Sequence, residues 1–176
     1  MFKKILVTSI ILGVVPSMQA LADDSPLAVF NGGIGVLGAT SGSIRGVAPA
    51  GAIWAIDSLS AKVRTNGRIN VTGTGLIFGS GNNAGRSTLN FVAATFICEN
   101  SNTAAQFSTP ARTVTLSLTG DFKIDDVLSP PPPLDCASPM LLIRNGGSAT
   151  NPALGGWFAV GILDPLTGSR GDKDED

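Results

Sequence analysis

The sequence predicts an all-β fold, an antiparallel β-sandwich of the immunoglobulin-like or Greek-key type with roughly seven to nine short strands. Short apolar runs recur along the chain, and clusters of Gly, Asn, Ser and Pro separate them. Charged residues make up only 14% of the 176 residues, too few for the charged faces of exposed helices. After residue 22, no stretch shows a sustained helical period of 3.6 residues.

The first 22 residues have the three parts of a cleavable signal peptide. Lys3 and Lys4 supply a positive start, residues 5–15 form an uncharged apolar core, and Ala20-Leu21-Ala22 offers small residues to signal peptidase. The apolar core is shorter than the roughly 20 residues that a membrane span requires. We therefore predict cleavage between Ala22 and Asp23, a secreted or periplasmic location, and no integral membrane span after processing.

The remainder of the chain divides into one domain and a tail. Residues 23–167 are predicted to form a single β-sandwich domain, and residues 168–176 an acidic, disordered tail. Taking the two signal lysines from the 12 basic residues leaves 10 against 13 acidic residues, a net charge of −3. A surface of this charge without a basic cluster argues against nucleic acid as a partner.

Two β-hairpins are predicted from turn residues that separate alternating runs. In residues 60–72, Asn66-Gly67 favours a type I′ turn, and Val63, Ile69 and Val71 share the buried face. In residues 113–124, a turn at Gly120-Asp121 joins two strands. The inward residues of its first strand are predicted to be Val114, Leu116 and Leu118, and Phe122 and Ile124 continue after the turn.

Four other runs are apolar on both faces: residues 53–56, 89–98, 140–143 and 156–163. A strand of this kind is covered on both sides or offers one face to a partner.

The composition also excludes several kinds of chemistry. The chain has no His, so Ser-His-Asp and Cys-His mechanisms and His-ligated metal sites are absent. Asp121, Asp125, Asp126 and Asp135 could meet as a calcium site or a glycosidase carboxylate pair. Their spacing matches no EF-hand loop, and solvated turns are the preferred interpretation. We predict no catalytic residue, no metal site and no cofactor.

Cys98 and Cys136 are the only cysteines. In an exported protein a single pair is most simply a disulfide.

Three residues are candidate ligand contacts. Trp54 and Trp157 could stack on sugar rings, but each lies in an apolar run, which favours the core. Arg45 precedes a Pro-Gly turn and could bind an acidic ligand. Hydrogen bonding to turn carbonyls is the preferred role.

The stretch Ile44-Arg45-Gly46-Val47-Ala48-Pro49-Ala50-Gly51-Ala52-Ile53-Trp54 is distinctive. It precedes the Asn66-Gly67-Arg68-Ile69 hairpin, the two-cysteine region and Trp157-Phe158-Ala159-Val160. This order resembles a group of uncharacterised secreted proteins, mostly bacterial, with an RGVxPxGxxW stretch. The resemblance covers about residues 44–161, and it implies a common fold without implying an activity, since its motifs are turn and core residues.

These observations favour a secreted or periplasmic, non-enzymatic module used for binding or as a structural component. Its partner would be an unidentified protein or glycan, and self-association stays open. The alternatives are a carboxylate-dependent enzyme acting on glycans, which needs two converging Asp residues, and a pilus-type structural subunit.

Overall fold

The fold was obtained as a computed structural model that describes residues 24–88, 91–100, 103–112, 114–148 and 150–165. In this part of the chain the regular structure is β, apart from one short 3-10 helix at Gly38–Ser41. The eleven strands are β1 (Pro26–Gly35), β2 (Trp54–Ala55), β3 (Ser58–Arg64), β4 (Arg68–Thr74), β5 (Ile77–Phe78), β6 (Phe91–Asn100), β7 (Thr103–Ser108), β8 (Val114–Thr115), β9 (Phe122–Val127), β10 (Met140–Asn145) and β11 (Trp157–Leu163).

Nine of these strands form one curled antiparallel sheet in the order β7-β6-β10-β11-β1-β3-β4-β9, with β8 beside β6. The curl brings the end of β7 near the segment after β9, where Ser129 N donates to Ser108 O at 2.9 Å. The short strands β2 and β5 form a separate pair. The predicted all-β, sandwich-like fold is confirmed, and eight strands are six residues or longer.

The first predicted hairpin is present as β3 and β4. Leu59, Ala61 and Val63 of β3 lie in the core, and Ile69 and Val71 of β4 lie on the same buried face. This alternation is what a sheet with one covered face requires.

The predicted type I′ turn in this hairpin is wrong. Val63 pairs with Ile69, Gly67 N donates to Arg64 O, and Gly67 has a φ of +83°. The loop therefore has three residues, a turn followed by one left-handed residue, and the left-handed position falls on glycine. Asn66 is instead used as an acceptor, since its Oδ1 binds the amide of Arg68 at 3.0 Å.

The second predicted hairpin is only partly present. The turn forms, with Gly120 N donating to Ser117 O, but β8 pairs with β6 and β9 pairs with β4. Leu116 is fully buried, whereas Leu118 is 60% exposed instead of inward. The chain leaves the strand after β8, so the period of two no longer fixes which side Leu118 faces.

The interior of the curl is lined by apolar side chains from opposite parts of the sheet. The rings of Phe30 on β1 and Phe96 on β6 meet edge to face with centroids 6.3 Å apart. At the other side of the sheet, Gly73 of β4 is paired with Phe122 of β9. A Cβ on Gly73 would overlap the Phe122 ring, so the absent side chain makes room for the phenyl group.

Strands β6 and β10 are buried on both faces, as their apolar runs predict. Thr95 of β6 is covered by Arg144, whose guanidinium donates to Thr95 Oγ1, Leu154 O and Gly155 O. Burial desolvates this guanidinium, and the pKa of Arg144 is therefore lowered from its ordinary value. A guanidinium nevertheless stays charged, so Arg144 holds the 154–155 loop over the sheet.

Within the described ranges no helix is long and apolar enough to cross a membrane. Residues 1–23 and 166–176 lie outside those ranges, and with them the predicted signal peptide, its Ala22–Asp23 cleavage site and the acidic tail.

Candidate functional site: the open edge of the sheet

The outer edge of β7 is open to solvent. Thr103, Ala104, Ala105 and Gln106 are exposed, and Phe107 turns into the core. Thr109 N donates to Ala94 O of β6. This bond shows which residues of β7 direct their backbone groups toward β6 and which direct them outward. Because an antiparallel ladder directs alternate residues to alternate sides, Ala104 and Gln106 point their N–H and C=O groups away from β6.

Among the described residues, these outward backbone groups have no backbone partner. The next outward residue, Ser108, already accepts the amide of Ser129. The open part of the edge therefore runs from the start of β7 to Phe107. We call Thr103–Phe107 the β7 edge. An open row of backbone donors and acceptors is a template for another strand.

The other end of the sheet is the edge of β9, and it is protected. The outward residues there are Lys123, Asp125 and Val127. Lys123 and Asp125 place charges along the edge, and the Val127 amide is bonded by Asp126 Oδ1 at 2.8 Å. Charged side chains and occupied amides are the means by which edge strands resist pairing. The β7 edge has neither.

Arg45 connects the β7 edge to strand β6 and to the segment before β10, and we call this set of contacts the Arg45 clamp. Its guanidinium donates to Ser138 O at 2.6 Å and forms an ion pair with Glu99 at 2.8 Å. Its own carbonyl accepts from Gln106 Nε2 at 3.2 Å. The side chain is only 17% exposed, and the predicted role at turn carbonyls is therefore what the geometry shows.

Backbone strain is concentrated at this clamp. Arg45 has a φ of +46° and Ser138 a φ of +44°, a region that side-chain-bearing residues rarely adopt. The two strained residues contact each other directly. The hydrogen bonds and the nearby disulfide hold both turns in place against this strain.

Cys98 and Cys136 form the predicted disulfide, with Cα atoms 5.1 Å apart. Cys98 is buried at the inner face of β6, and the bond fastens the proline-rich segment that follows β9. Asn100 adds two hydrogen bonds to the same segment, accepting from Ala137 N and donating to Asp135 O. The disulfide and these hydrogen bonds therefore attach the proline-rich segment to the β6–β7 end of the sheet.

Trp54 and Trp157 are both core residues. The Trp54 ring lies between Phe78 and Phe158, with centroids 4.1 and 4.3 Å away, and is 3% exposed. Trp157 is 5% exposed, and within the described ranges its Nε1 has no hydrogen-bond partner. Both indoles lie below the surface, and neighbouring rings cover Trp54, so it presents no face to a sugar.

The four Asp residues that could have converged bind different neighbours, and the two that are adjacent on β9, Asp125 and Asp126, point to opposite faces of the sheet. Asp121 accepts from Thr119 Oγ1 and Gly75 N, whereas Asp125 accepts from Asn70 Nδ2. Asp126 bonds to the next amide on β9, while the backbone carbonyl of Asp135 accepts from Asn100. No group of three metal-ligating side chains occurs within the described residues.

Two shallow depressions elsewhere on the surface carry little chemistry. One, with a volume of about 160 Å³, is lined by residues 26–29, Pro139 and residues 163–165, which are apolar apart from Asp164. The other lies in the loop at residues 145–155, where Asn145, Ser148 and Asn151 bond to loop amides.

The sequence gives little sign of the strand that carries this edge. Thr-Ala-Ala-Gln-Phe-Ser has one large apolar residue and no clear alternation, so its pattern does not predict a strand over residues 103–108. The available signal is an absence of charge, since residues 100–111 contain no Asp, Glu, Lys or Arg.

Comparisons of the chain with protein-family models, curated proteins and solved structures found no match. The resemblance to the RGVxPxGxxW group therefore stays a prediction.

Proposed function

We propose that this chain is an extracytoplasmic, non-enzymatic module, secreted or periplasmic, that binds a partner by adding the partner's strand to its β7 edge. The observation that carries the proposal is the uncharged β7 edge with outward backbone groups at Ala104 and Gln106. In strand addition, main-chain hydrogen bonds supply affinity and alternate side chains supply specificity.

The location is supported by the signal-peptide pattern of residues 1–22 and by the disulfide. Disulfides persist in oxidising compartments and are rare in the cytosol. The described part of the chain, with no membrane-spanning helix, is compatible with such a location.

A protein partner fits this surface better than a glycan does. Sugar binding commonly uses exposed aromatic faces, and the two Trp rings are in the core. The exposed part of β7 offers peptide groups and small side chains, which match another main chain. The chain's lack of His and the separation of its Asp side chains support a non-enzymatic role.

Site-specific photo-crosslinking in the producing cells tests the proposal. A photoreactive amino acid replaces Ala104 on the β7 edge, and a matched control variant carries it at Lys123 on the β9 edge, which is also exposed. We expect a discrete extracytoplasmic adduct from position 104 and none from position 123. Absence of an adduct at position 104, or equal adducts at both positions, would contradict strand addition at β7.

A further inference from the structure

We propose that the strand added to the β7 edge belongs to a second copy of this chain, paired antiparallel about a two-fold axis at Ala105. This inference rests on the proposed function and specifies its partner. It follows from the register that the outward backbone groups allow and from the side chains that this register brings together.

The backbone sets the register. Ala104 and Gln106 carry the outward donors and acceptors, and the two-fold register that uses both residues of each copy sets Ala104 of one copy opposite Gln106 of the other. The two symmetric pairs then exchange four hydrogen bonds. Ala105 meets Ala105 of the second copy on the axis, as a non-hydrogen-bonded pair with Cα atoms about 4.5 Å apart. This pair is the closest contact, and alanine is small enough to permit it.

The side chains are compatible with this self-pairing. Thr103 of one copy lies opposite Phe107 of the other, and Ala104 lies opposite Gln106. No charged residue occurs on the β7 edge, so the symmetry axis places no like charges opposite each other. Only the residue on a two-fold axis faces its own copy, so a charge at that position would repel itself, and Ala105 carries none.

A head-to-tail pairing of β7 with β9 of another copy is disfavoured. The β9 edge carries Lys123 and Asp125, and Asp126 already bonds the Val127 amide. The pairing therefore closes as a dimer and does not continue as a filament.

The pairing is short. Ser108 O is already bonded to Ser129 N, which ends the open edge at Phe107. Four backbone hydrogen bonds are fewer than the roughly ten of a typical interface. We therefore expect a reversible dimer with a dissociation constant on the order of micromolar to millimolar.

Charge pairing at the axis tests the register. Ala105 is exposed, so Ala105→Lys and Ala105→Glu should both fold, which a thermal melt checks. Each variant alone places like charges opposite each other and should weaken dimerisation at least about tenfold, as measured by sedimentation velocity over a concentration series. An equimolar mixture should recover dimers, because Lys then faces Glu. Ala105→Ser, and Ser80→Lys in an exposed turn, should dimerise like the wild type.

Each result decides the question. Dimers of Ala105→Lys as strong as wild type, or no recovery in the mixture, would overturn the two-fold pairing. Wild-type protein that stays monomeric up to millimolar concentration, or that grows beyond a dimer, would do the same. The photo-crosslinked adduct from position 104 distinguishes the two proposals. If its mass differs from twice the mass of the chain, strand addition at the β7 edge stands and the second-copy inference fails.

Discussion

Reduction of the Cys98–Cys136 disulfide should destabilise the protein without displacing the segment that it fastens. The cysteines are 38 residues apart in sequence, and the cross-link restricts the unfolded chain. Loop-closure entropy for this length gives about 4 kcal/mol, on a model in which the effect lies in the unfolded state. That is a large share of the roughly 5–15 kcal/mol expected for a whole domain.

The native state keeps other anchors after reduction. Ala137 N donates to Asn100 Oδ1 at 2.9 Å, and Glu99 N donates to Ala137 O at 3.1 Å. Arg45 still holds Ser138 O. The proline-rich segment should therefore stay docked, and the folded protein should keep its spectra while its unfolding becomes easier.

Urea unfolding with and without a reductant measures this effect, with the fluorescence of the two buried Trp residues as the signal. For a urea dependence near 2 kcal/mol per molar, a loss of 4 kcal/mol lowers the midpoint by about 2 M. The double variant Cys98→Ala/Cys136→Ala is the control, because its midpoint should not respond to reductant. An unchanged midpoint for reduced wild type would refute the stabilisation by loop-closure entropy. Altered spectra of the reduced native protein would show that the remaining hydrogen bonds do not hold the proline-rich segment in place.

Three further outcomes are expected. Trp54→Ala should lower the free energy of unfolding by about 3–5 kcal/mol in denaturant titration, through lost burial and a cavity, whereas Trp54→Phe should lose less; an unchanged stability would place the ring outside the core. Gly73→Ala should lower the free energy of unfolding by about 1–3 kcal/mol, because the added methyl overlaps the Phe122 ring. Combining it with Phe122→Leu should recover part of this stability, and additive losses would contradict the overlap. Mass spectrometry of the exported protein should find Asp23 at the N-terminus, and a chain that retains the first 22 residues would contradict the predicted cleavage.

Local patterns were enough to predict the fold class and the disulfide. The alternation through Val63, Ile69 and Val71 assigns those residues to one covered face, since side chains in a strand alternate between its two sides. The doubly apolar runs around β6 and β10 identify strands that are covered on both faces, because such burial removes the need for polar positions. In a chain with two cysteines, each has one possible intramolecular partner.

The candidate site needed the tertiary structure because an edge is a property of strand order, not of strand composition. The sequence of Thr103–Ser108 is the same whether a neighbour covers it or not, and only the arrangement of the sheet leaves it at the end. Arg45 becomes a clamp only when the fold brings Glu99 and Ser138 beside it. By itself the sequence determined which side chains are buried along the regular strands, through local periodicity, but not at Leu118, where the chain leaves the strand. Long-range pairing decided which backbone groups stay open, because hydrogen-bond partners far apart in sequence are chosen by the whole sheet.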